Sequence, residues 1–126
     1  MKELVVNYPI LVEAAEKLAS GTWEVEEAES WLVAANDLVQ DEADRVIGLV
    51  QESGYYEDSP EEMECGLTAL QGFQESIGLL WRYLEEGLED FLQDAVQLAA
   101  EADAMMRQAL ELNQEVRGTL SFEVLY

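Results

Sequence analysis

Carboxylates are the one kind of chemistry-bearing side chain that this chain holds in quantity, with 28 Asp and Glu among 126 residues. Grouped carboxylates can hold magnesium, which prefers oxygen ligands, or serve as general acid and base. The chain has no histidine. That removes the usual general base, the serine and cysteine triads built on histidine, and the histidine zinc and haem sites. Diiron proteins that combine glutamates with Glu-x-x-His pairs lose their ligand set as well. Cys65 is the only cysteine; nothing is present to activate it, and its neighbours Glu62 and Glu64 disfavour a thiolate. No Gly-rich phosphate loop occurs, and Gly66, Gly72, Gly78 and Gly87 all fall within helical pattern. The expectation is a non-enzyme with no catalytic residue, no metal and no cofactor.

The best local match to a catalytic element is Glu85-Glu86-Gly87-Leu88-Glu89. It resembles the Glu-Glu-x-x-Glu element of all-helical MazG-type nucleotide pyrophosphohydrolases, over five residues. That family also carries a Glu-x-x-Asp pair on a following helix, whereas here the downstream acids are Glu101-Ala102-Asp103, at a different spacing. The resemblance implies a carboxylate-magnesium hydrolase, which is the least favoured of three functional readings.

The elements that would position these acids are helices. Between residues 60 and 117 two seven-residue ladders interleave as the a and d positions of a heptad repeat. One runs through Leu67, Gln74, Trp81, Leu88 and Ala95, and the other through Leu70, Ile77, Leu84, Phe91, Leu98, Met105 and Leu112. Ser59-Pro60 opens this stretch as a helix start, and Gly118 suits its end. Gly87 is the one point where it could break, yet Leu84, Leu88 and Phe91 keep the register across it, which favours a continuous helix. The apolar stripe also drifts, widened by Phe73 and Leu80 early and by Leu92, Ala99 and Met106 later, so the two halves should face different neighbours.

Before it come a short helix over about 9–20, from Pro9 to Ser20-Gly21, and a second over about 23–53, capped by Thr22 and ended by Gly54. The loop 54–59 carries Tyr55 and Tyr56. After Gly118, Leu120, Phe122, Val124 and Tyr126 alternate at period two, a strand-like tail fit for contact with the helices or with another chain. The predicted fold is one all-α domain over 1–126, an antiparallel helical bundle built on the long heptad-patterned helix.

A net charge of −22 repels nucleic acid phosphates and anionic membrane surfaces. Direct nucleic acid binding and membrane association are therefore excluded, and the lone cysteine fits a reducing cytoplasm. The leading expectation is an acidic interaction module, acting as adaptor, regulator or small chaperone. It should self-associate as a homodimer, because the short helices are too short to cover the long one; Leu67, Leu70, Ile77, Trp81, Leu84, Leu88, Phe91, Leu98, Met105 and Leu112 are the expected core or oligomer interface. The alternative is a nucleic-acid mimic that blocks a basic DNA- or RNA-binding protein. Its acidic partner face is Glu85, Glu86, Glu89, Asp90, Asp94 and Glu101, extended on the second helix by Glu24, Glu26, Glu27 and Glu29.

Overall fold

The computed structural model describes residues 6–53 and 60–116, with side chains over 6–48 and 64–109. These residues form four helices: α1 (Tyr8–Ser20), α2 (Val25–Ser53), α3 (Pro60–Glu86) and α4 (Glu89–Val116), with no strand among them. The tail residues Leu120, Phe122, Val124 and Tyr126 and the loop tyrosines Tyr55 and Tyr56 lie outside the described residues.

Local chemistry sets the ends of α1. Asn7, in an extended conformation, caps it by accepting from the Ile10 N–H at 3.2 Å, one residue earlier than Pro9 alone indicates. Gly21 closes it at φ 71, in the left-handed region, and the Gly21 and Thr22 N–H groups donate to Leu18 and Lys17. Thr22 is thereby used up in ending α1. It does not cap α2, which starts at Val25 with the Ala28 N–H on the Glu24 carbonyl; the Thr22 hydroxyl bonds that of Ser20 at 2.7 Å. Trp23, in the link, packs against Trp31 with ring centroids 5.4 Å apart and the planes tilted by 37°, and carries the Lys17 ammonium over its ring. Asn7→Ala is expected to cost about 1 kcal/mol in urea denaturation, because it orphans a donor of the first turn.

The continuous long helix is not what forms. Gly87 takes φ 73, its N–H donates to Tyr83 at 2.7 Å, and the chain turns back after two non-helical residues, Gly87 and Leu88. A left-handed residue costs glycine nothing and other residues about 1–2 kcal/mol, so the helix breaks where it can break cheaply. The returning helix runs antiparallel to α3: Ser76 Oγ donates to the Ala95 carbonyl at 2.7 Å, and Arg82 lies over the Phe91 ring at 4.6 Å. Gly72 abuts Ala102 so closely that a β-carbon built on it would stand 2.9 Å from the Ala102 β-carbon. Small residues thus form a seam, with Gly72 facing Ala102 and Ser76 facing Ala95, and the two backbones approach closely along it.

Helix α3 packs most extensively on α4, α2 packs on α3, and α1 packs on α4. On α2 the buried residues Ala28, Leu32, Ala35, Val39, Glu42 and Val46 step by four and three, a heptad stripe of its own. Gln74 donates to Gln40 at 2.8 Å, which supplies the partner its place in the ladder calls for. The six residues of loop 54–59 span at most about 24 Å, and a parallel arrangement through that contact would separate the helix ends by about 40 Å, so α2 runs antiparallel to α3.

Burial follows the drift of the stripe rather than the two ladders alone. On α3 it centres on Leu70, Phe73, Ile77 and Leu80; on α4 it moves to Leu92, Ala95, Ala99, Ala102, Met106 and Ala109. Gly72→Val is expected to lower stability by about 1–3 kcal/mol in urea titration, because the added methyls force the seam apart. Gly78, with nothing near its missing β-carbon, should respond oppositely: Gly78→Ala should raise stability by up to about 1 kcal/mol.

Candidate functional site

The expected interface residues do not share one surface. Leu70 and Ile77 are fully buried, while Leu67, Trp81, Leu84 and Met105 are partly buried against the core. Phe91 is half-buried beneath Arg82, and Leu98 is half-buried beside Ala102 in a groove on the hairpin. Leu88 is 56% exposed, because it occupies the turn after Gly87 rather than a ladder within a helix. The side chain of Leu112 lies outside the described ones.

The acidic residues are drawn together by the two chain reversals. Glu85 and Glu86 end α3, Glu89 and Asp90 begin α4, and all four are exposed around the Gly87 turn. Because α2 runs antiparallel to α3, its first residues come to the same end, bringing exposed Glu24, Glu26, Glu27 and Glu29 with them. Asp90, Asp94 and Glu101 lie within about 40° of one another around α4 and carry the acidic surface along its length.

Few cations oppose these acids. Among the described residues the cations are Lys17, Arg45, Arg82 and Arg107, and each is held by a carboxylate of its own helix. Lys17 pairs with Glu13 at 3.1 Å, Arg82 with Glu86 at 3.3 Å and Arg107 with Asp103 at 2.8 Å. Arg45 takes both oxygens of Glu42, the one buried carboxylate of the α2 stripe. Pairs of this kind contribute only a few tenths of a kcal/mol each. Their larger effect is to leave the exposed carboxylates at the Gly87 end, Glu86 apart, without a cation among the described residues.

Two grooves open on the hairpin. One, about 440 Å³, lies between α1 and α4 and is lined by Val12, Ala15, Glu16, Ala19, Leu92, Gln93 and Val96. The other, about 260 Å³, follows the seam on the face turned away from α1 and α2. Among the described residues no group of three acids or thiols stands arranged to hold a metal ion. The five residues of the Glu85–Glu89 element straddle the turn, with Glu85 and Glu86 ending one helix and Glu89 starting the next. Cys65 is in no disulfide and is half-buried rather than fully outward. Among the described residues no helix is long and apolar enough to cross a membrane.

Sequence reasoning missed Ser76 and Glu42, both buried polar groups. Glu42 could have been found from its heptad spacing to Ala28 and Ala35. Ser76 could not, since its partner is a main-chain carbonyl on a helix that packs only after the turn. No family model, no curated protein and no solved structure matches the chain.

Proposed function

We propose that this chain is a non-enzymatic, acidic helical interaction module whose partner is a basic protein surface. The observation that carries this reading is the charge arrangement: exposed carboxylates from α3, α4 and the start of α2 meet at the Gly87 end, and the described cations are each paired with a neighbour in their own helix. Such a surface speeds encounter with a cationic partner and repels nucleic acid. An antiparallel bundle is the frame on which an adaptor, regulator or small chaperone would present that surface, and the pairing of α3 with α4 and of α2 with α3 supports it.

A homodimer is the economical cover for a long amphipathic helix. Folding back at Gly87 meets that need within one chain, and two copies at −22 each repel. A basic partner therefore ranks ahead of a second copy. The meeting of carboxylates from separate helices at the Gly87 end favours a narrower version, in which the partner's basic surface is one that otherwise holds nucleic acid phosphates.

Immobilised chain incubated with purified basic nucleic-acid-binding domains tests both versions. Retention at low salt should be lost at high salt and on combined Glu-to-Gln and Asp-to-Asn changes at Glu85, Glu86, Glu89, Asp90, Asp94 and Glu101. Competition by duplex DNA for the same domain would select the mimic. Retention that survives all six changes would end the reading, and light scattering on the same samples would report any dimer.

A further inference from the structure

The groove along the seam narrows a basic partner to one particular contact, and its assignment rests on that partner being basic. Its floor is the Gly72–Ala102 contact, with Leu98 and Met105, one heptad apart, half-exposed on the α4 side. Glu75 rises from α3 and Glu101 from α4, both exposed, and no lysine or arginine is among the lining residues. The hydrogen bonds to these two carboxylates come from neutral amides: Gln71 reaches Glu75 at 3.4 Å and Gln97 reaches Glu101 at 3.5 Å. The groove's α4 wall lies about half a turn around the helix from the α1 contact.

We propose that this groove docks an arginine-bearing segment of the basic partner. An arginine suits both parts of the site at once. Its aliphatic stem covers apolar surface such as Leu98 and Met105, and its guanidinium forks onto a carboxylate at the rim, as Glu75 and Glu101 require. Charge complementarity is the argument against a second copy here, since a copy would bring its own excess of acids to a rim that is already acidic. The apolar floor separates this site from the carboxylates at the Gly87 end, where attraction needs no particular side-chain shape.

Fluorescence anisotropy with three labelled peptides of equal length tests the assignment on the full chain. One is an arginine–leucine peptide patterned as an amphipathic helix, the second an arginine–serine peptide of the same charge, and the third a glutamate–leucine peptide. The first should bind at least about tenfold more tightly than the second, and the third should not bind. Glu75→Gln with Glu101→Gln should weaken the first by about tenfold or more, while Glu13→Gln with Glu16→Gln, which removes the same charge on α1, should change it less than about twofold. All four positions are exposed, so the variants keep the fold. Bound peptide should also slow peroxide oxidation of Met105.

Equal loss in the two double variants, or equal binding of the arginine–serine peptide, would overturn the groove while leaving a basic partner in place. Absence of binding by either cationic peptide at low salt would overturn both. A dimer dispersed by Thr68→Arg would put a second copy in the groove, and a tenfold gain in affinity on removing residues 119–126 would put the chain's own tail there; either result overturns the proposal.

Discussion

Phe73→Ala is expected to lower the free energy of unfolding by about 3–5 kcal/mol, a large part of the roughly 5–15 kcal/mol that holds a domain together. Phe73 is the bulkiest fully buried side chain among the described residues. Around α3 it lies between the side that meets α2, marked by Leu70 and Gln74, and the side that meets α4, marked by Gly72 and Ser76. Its ring therefore fills the space where the packed helices converge. Helical neighbours held by their own stripes cannot collapse fully into the gap, so the cavity cost adds to the lost transfer energy. Urea denaturation followed by far-ultraviolet circular dichroism measures it. A loss under about 1 kcal/mol would mean that the ring is far less enclosed than its burial implies.

Gly87→Ala should change the assembly rather than only the stability. Two effects act in one direction. Alanine in the left-handed conformation costs about 1–2 kcal/mol, and alanine in place of glycine within a continuous helix gains up to about 1 kcal/mol. The heptad ladders already run through the turn, so a straight helix from Pro60 to Val116 would keep its apolar residues aligned. A straightened chain can recover the seam only by packing its α3 on the α4 of another molecule, which is a domain-swapped dimer. Light scattering at rising protein concentration should show a doubled mass relative to the unaltered chain. An unchanged mass at every concentration, with only a lower melting temperature, would sink this expectation.

The same register explains what the sequence could and could not convey. Pro9, Gly21 and Ser59-Pro60 are local signals, and they located three helix ends to within a residue or two. Gly87 was visible as a candidate break, but the turn consumes only two residues and the next stripe resumes on ladder positions, which disguises the reversal as continuity. The clue was the drift from Phe73 and Leu80 to Leu92, Ala99 and Met106, since a helix with one neighbour has no reason to rotate its apolar face. The acidic face was legible as composition. The meeting of Glu24–Glu29 with Glu85–Asp90 was not, because it comes about only through two chain reversals. The seam was illegible for a similar reason: Gly72, Ser76 and Ala102 are small and unremarkable until the helices that carry them are laid side by side.

The pairing of α1 with α4 and of α2 with α3 bears on how the chain is made. α1 and α2 touch each other little, and each takes its main partner from the C-terminal hairpin. On a ribosome the N-terminal half therefore emerges before anything exists to cover its apolar stripes. At roughly 5–20 residues per second it waits on the order of several seconds for α3 and α4. The hairpin closes quickly once made, since its two strips of contact are joined by a tight turn. Until then the dense negative charge on α2, whose acids far outnumber Arg45, works to keep one nascent chain apart from the next.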